Sequence, residues 1–172
     1  MTSKQIIEQS RILYFSGQIG AAIRLLEEHG RNDTDILYQR IRLLISNVFL
    51  NNQDVSGILP LIGDALKETS DKQQDDFRDQ LGLALYYLQI TKDQPDFSES
   101  TQLFTQVMDN REDRSDQAGL VDSCFHLGLV HQYSGERKSA IEYFNSSALL
   151  ASRLGLELES VNWHAKLTHF GG

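Results

Sequence analysis

The stretch Cys124–Phe144, CFHLGLVHQYSGERKSAIEYF, decides the fold. Gly128 sits in the middle of a helical apolar pattern, where glycine costs about 1 kcal/mol relative to alanine. A glycine at such a place implies a neighbour too close for a Cβ. Ala140 is small for the same reason, and Phe144, one turn later on the same face, fills the gap between two helices. Gly135 falls between the two periodic runs, where a tight turn needs a permissive backbone. These spacings predict a helical hairpin, with helices over about 117–133 and 136–154, closed around Gly128, Ala140 and Phe144.

Outward from this hairpin, apolar residues recur with helical period and no alternating strand pattern stands out. Thr2-x-x-Gln5 and Ser70-x-x-Gln73 read as capping-box starts. The pattern predicts further helices over about 2–16, 21–29, 34–50, 55–68, 71–90 and 98–108, and a last one from about 156. Gly17-Gln18-Ile19-Gly20 and Asn51-Asn52-Gln53-Asp54 read as turns. Thr91–Phe97, with Pro95, reads as a loop longer than a repeat turn, and Asp109–Asp116 as a charged connector. The acidic run Asp71, Asp75, Asp76 and Asp79 reads as a solvated helix N-terminus, favoured by the helix dipole.

The segment resembles a tetratricopeptide repeat, written W-x2-L-G-x2-Y…A-x3-F…P. Leu127-Gly128 and Ala140-x3-Phe144 match in place, with Cys124, His131 and Ser152 in the Trp, Tyr and Pro slots. Leu81-Gly82-x2-Leu85 echoes the first half of the motif. The Ala-x3-Phe slot recurs as Ala22/Leu26, Gly57/Leu61 and Ser100/Phe104. From Leu26 through Leu61 and Phe104 to Phe144 the intervals are 35, 43 and 40 residues, against a usual period of about 34. The resemblance implies an all-α, right-handed superhelical solenoid in one domain over 1–172. Its hairpins would lie at about 3–30, 34–69, 71–109 and 117–154, with a terminal capping helix over about 156–170.

Composition narrows the function. The net charge is −8, from 24 acidic and 16 basic residues. That balance opposes non-specific nucleic-acid binding, which needs a basic face. Cys124 is the only cysteine, so an internal disulfide and a Cys-rich metal site are both excluded. No apolar run reaches the ~18 residues of a membrane span, and residues 1–5 carry no signal core. A cytoplasmic location is expected, although a domain cut from a longer chain would read the same way.

Repeats of this family bind on the concave surface lined by the first helix of each hairpin. The resemblance places Arg11, Tyr14, Arg42, Ser46 and Phe49 there, with Asp79, Leu83 and Tyr86 on the fifth helix. Phe125, Leu129, Gln132 and Tyr133 follow on the seventh, and Ala165, Lys166 and His169 on the terminal helix. The competing reading makes Phe125, Leu129 and Tyr14 inter-repeat core. The carboxylate clamp of chaperone-binding members needs a Lys and an Asn one turn apart, where this chain has Ile7 and Arg11. Asp79 and Gln80 stand where that clamp needs positive charge, so it is rejected.

Histidines at 126/131 and 164/169 are each five residues apart, which splays them, and a metal site is not expected. Cys124 reads as a small buried hydrophobe. A Cys–His nucleophile with His126 or His131 lacks an oxyanion element, and no phosphate loop is present. The expected function is a non-enzymatic adaptor or scaffold, without cofactor, that holds a protein or peptide segment. The alternative is a peptide- or ligand-sensing domain that controls an effector. Homo-oligomerisation stays open.

Overall fold

The structure, a computed structural model, describes residues 1–30, 33–51 and 53–156. Among the described residues all regular structure is helical: α1 (Ser3–Phe15), α2 (Ile19–His29), α3 (Thr34–Asn51), α4 (Leu59–Glu68), α5 (Asp71–Ile90), α6 (Ser98–Asp113), α7 (Gln117–Tyr133) and α8 (Arg137–Arg153). A single 3-10 turn, Ser56–Ile58, leads into α4. The expected terminal helix, with Ala165, Lys166 and His169, lies outside the described residues.

Two compact units form, Met1–Asp96 and Phe97–Gly172. Their boundary falls in the loop read between residues 91 and 97. The hairpin expected over 71–109 therefore has its helices, α5 and α6, in different units.

In the first unit each helix packs on the next, and α3 also meets α1 and α5. Two apolar clusters result. Ile6, Ala22 and Leu26 join Ile36 and Leu43 of α3 in one. Ile41, Ile45 and Val48 of α3 join Val55, Ile58, Ile62, Ala65, Phe77 and Ala84 in the other. The spacing explains the division. Residues 36 and 43 share one side of a helix, and residues 41, 45 and 48 share the opposite side. Burial thus alternates from Ile41 to Ile45, as in a strand, because α3 is wedged between neighbours on two sides. Each isoleucine, leucine, valine and phenylalanine among these contributes about 1.5–3 kcal/mol when fully buried. Exposed ion pairs such as Lys67–Asp64, 2.8 Å apart, are screened by solvent and contribute little, so burial holds the unit together.

The Thr2–Gln5 capping box forms in full. The Ser70–Gln73 box does not. Ser70 makes no side-chain cap bond; its hydroxyl donates instead to Gln73 Oε1 at 3.5 Å, while the Gln73 amide reaches across to α3 and donates to Thr34 Oγ1 at 3.0 Å. Asp33 caps α3, accepting from the amides of Asp35 and Ile36 at 3.0 Å each and from the Ser3 hydroxyl. The Gly57/Leu61 slot is displaced by one residue: Ile58 and Ile62 take the packed side, while a Cβ on Gly57 would meet open space. The acidic run is not simply solvated either, since Asp75 is 1 % and Asp79 0 % exposed. Arg78 donates to Asp75 at 3.2 Å.

In the second unit α7 packs against both α6 and α8. Phe125, Ala140 and Phe144 form one buried cluster, with Leu129 packed against it. A Cβ on Gly128 would lie 2.6 Å from the Phe144 ring, which is why glycine stands there. The Ser147 hydroxyl donates to the Val121 carbonyl at 2.7 Å and ties α8 to α7. Helix α6 runs into the expected connector, past its expected end at about residue 108, through Asp113. The reason is Arg111, which is buried and donates from Nη1 to Gly119 O at 2.9 Å and Ser123 Oγ at 2.8 Å.

One turn is used four times. After α1, α6, α7 and α8 the chain enters the left-handed region at Gly17, Ser115, Gly135 and Gly155, with φ of 80°, 56°, 79° and 69°. The next amide reaches back five residues: Gln18 to Leu13 O, Asp116 to Arg111 O, Glu136 to His131 O and Leu156 to Ala151 O, at 2.8–2.9 Å. These are Schellman caps, which satisfy the last carbonyls of a helix. Ser115 is the one without glycine.

Two outcomes are expected in chemical denaturation. Gly128→Leu lowers stability by about 1–3 kcal/mol through overpacking against Phe144; an unchanged midpoint contradicts the packing. Ser115→Gly raises stability by about 0.5–1 kcal/mol, as relief of the left-handed penalty exceeds the added chain entropy; a lower midpoint contradicts the strain.

Candidate functional site: the first-helix face

Helices α1, α3 and α5 pack in succession within the first unit. They carry eight of the fifteen expected surface residues. Arg11 and Tyr14 on α1, Arg42, Ser46 and Phe49 on α3, and Leu83 on α5 are all half-buried. On α3 the residues 42, 46 and 49 share an edge lying between its two buried sides. This edge neither enters the core nor stands fully in solvent.

Aromatic rings concentrate there. Tyr14 packs edge-on to Phe15, with centroids 5.4 Å apart. Phe49 lies 5.4 Å from Tyr87, which lies 5.4 Å from Tyr86. The Arg42 guanidinium sits 5.7 Å over the Tyr38 ring, and Tyr38 is edge-on to Phe77 at 5.8 Å. Burial raises the Tyr87 phenol above its ordinary range, and the nearby Tyr14 adds to the effect. Residues from all three helices thus converge on Tyr87.

Tyr87 was missed by sequence reasoning. The register set from Leu81-Gly82 favoured its neighbour Tyr86, but Tyr86 is only 3 % exposed. One position separates the two along the helix, and only the packing of α3 on α5 distinguishes them. Asp79 is fully buried, so its carboxylate does not stand on this surface.

In the second unit the packing alternative holds for Phe125, which is buried against Phe144 with centroids 5.3 Å apart. Leu129 packs on the same cluster. Gln132 is half-buried. Tyr133 is 49 % exposed and meets Phe97 edge-on at 6.0 Å. A variant truncating Tyr86 and Phe125 therefore removes buried side chains, at about 3–5 kcal/mol for the phenylalanine, and does not report on binding.

The chemistry around Cys124 is that of a core. The thiol is buried. Burial pushes its pKa up, and the Glu112 carboxylate adds to the rise. A nucleophilic cysteine needs the opposite, a cationic or dipolar setting that lowers the pKa. His126 is buried, with its ring 5.1 Å from Phe104. His131 is stacked on Tyr143 at 5.2 Å and 10°, and its Nδ1 lies 2.7 Å from Glu136 Oε2. Among the described residues, no three His, Cys, Asp or Glu side chains come together as a metal site, and no helix is long and apolar enough to cross a membrane.

Iodoacetamide is expected to leave Cys124 unmodified at neutral pH until the protein unfolds, as read by mass spectrometry. The raised pKa keeps the thiol protonated in the folded state below its ordinary titration range. Rapid stoichiometric labelling of the folded chain would contradict this. No family model, curated protein or solved structure matches this chain.

Proposed function

We propose that the chain is a non-enzymatic protein-interaction module, an adaptor or scaffold built as a tetratricopeptide-like solenoid. It holds a peptide or protein segment against the first helices of its hairpins. One observation carries this reading: α1, α3 and α5 pack side by side and leave Arg11, Tyr14, Arg42, Ser46, Phe49 and Leu83 half-buried along them. The Leu127-Gly128, Ala140 and Phe144 packing supports the hairpin register on which the reading rests.

The chemistry suits a segment of mixed character. Aromatic and arginine side chains are the usual anchors of a protein interface. Tyr14 and Phe49 offer apolar surface, and Arg11 and Arg42 offer guanidinium donors for carboxylates or main-chain carbonyls. The thiol at Cys124, with its pKa raised, supplies no activated nucleophile to a competing enzymatic reading.

The test uses the full chain as bait, with captured proteins identified by mass spectrometry. Arg11→Gln combined with Arg42→Gln is expected to weaken the captured partner by about tenfold or more at an unchanged melting temperature, since each charge-assisted bond contributes about 1.5–3 kcal/mol. A partner retained in full by the folded double variant would move the site off this face.

A further inference from the structure

A second surface of α3 borders a cleft. Arg40, Leu44 and Asn47 share the edge of α3 opposite to the one that carries Arg42, Ser46 and Phe49, with the buried Val48 at its border. With Gln53, Asp54, Gly57, Ile58 and Leu61 they line a cleft of ≈410 Å³, within the size range of ligand sites. Its floor is aliphatic: Leu44, Val48, Ile58 and Leu61. Its rim is polar, and the Asn47 amide donates across it to Gln53 Oε1 at 3.3 Å.

Two observations mark the cleft as more than a crevice. Gly57 leaves it open, because a Cβ there would meet no atom within 4 Å. Arg40 gives up Nη2 to Glu27 Oε1 at 2.7 Å, yet its Nε is shut off from water with no acceptor. A desolvated N–H of a charged group is costly to leave unmade, and it would be satisfied by an acceptor brought to the cleft as the guanidinium, on a side chain 29 % exposed, shifts. Charge selects the acceptor. Glu27 already answers Arg40, and Asp54 adds a second carboxylate on the rim, so a ligand carboxylate is repelled and a neutral carbonyl is not.

We propose that this cleft binds a short extended peptide segment, seating one branched aliphatic side chain on Leu44, Val48, Ile58 and Leu61 and offering main-chain carbonyls to Arg40. An aliphatic side chain flanked by amides matches an apolar floor under a polar rim. The site is independent of the face assigned to Arg11 and Arg42.

The experiment titrates the full chain, labelled with nitrogen-15, with the doubly capped tripeptide acetyl-Ala-Leu-Ala-amide, and follows amide shifts. The free-acid form and acetyl-Ala-Asp-Ala-amide serve as comparisons. Saturable shifts at Asn47, Gln53 and Gly57 are expected with the capped leucine peptide, and weaker binding of both comparison peptides. Gly57→Leu fills the cleft without a clash and is expected to weaken binding by at least about tenfold. Gly63→Leu, equally open but outside the cleft, is expected to bind as the parent does. Both variants should melt as the parent does. Absence of saturable shifts at those three residues overturns the proposal. So does binding that survives Gly57→Leu, or tighter binding of either comparison peptide. Arg11→Gln with Arg42→Gln should leave these shifts in place, so this test and that of the opposite face fail separately.

Discussion

The first unit depends on one helix being buried on two opposite sides. Helix α3 gives Ile36 and Leu43 to the cluster with α1 and α2, and Ile41, Ile45 and Val48 to the cluster with α4 and α5. Neither helical pair could close its own apolar face, because a lone hairpin leaves one side of each helix to water. Five core side chains at about 1.5–3 kcal/mol each exceed what the surface ion pairs of the unit can contribute. The arrangement also fixes where the other helices stand. A residue on α3 must face one neighbour, the other neighbour, or one of the two edges between them.

The second unit solves the same problem with closer contacts. Its middle helix, α7, is buried along nearly its whole length from Leu120 to Val130. Helix α8 approaches so near that Gly128 has no room for a Cβ beside Phe144. On the other side Arg111 reaches from α6 to the Gly119 carbonyl and the Ser123 hydroxyl. Its guanidinium does what an aliphatic side chain does elsewhere, at the price of needing acceptors in fixed places. Removing those acceptors would strand a buried charge, which costs more than losing a methyl contact.

The hairpin around Gly128 was legible because its constraint is local. A glycine in a helix, an alanine and a phenylalanine at fixed offsets can be read without knowing the rest of the chain. The turn at Ser115 was not, because serine carries no left-handed signal and the surrounding charges suggested a solvated connector. Arginine is seldom buried, so Arg111 gave no hint of its position. The same limit applies to the candidate face. Arg42, Ser46 and Phe49 follow from helical spacing alone, whereas the exchange of Tyr86 for Tyr87 depends on the rotation of α5 against α3. Asp79 reads as surface in any local analysis, and its burial is a tertiary fact.

The two edges of α3 are where this unit can vary. A change at Ile41 or Ile45 opens a cavity between packed helices and is felt through the whole stack. A change at Ser46 or Asn47 alters what the edge presents and leaves both clusters in place. These edges can change chemically at little cost in stability, which is what the recognition proposed for them requires. They also differ in kind. The edge with Arg42 and Phe49 is flanked by rings and open along three helices, which suits a long segment. The edge with Arg40 and Asn47 borders a cleft left open beside Gly57. A single helix packed on two sides is thereby left with two separate surfaces.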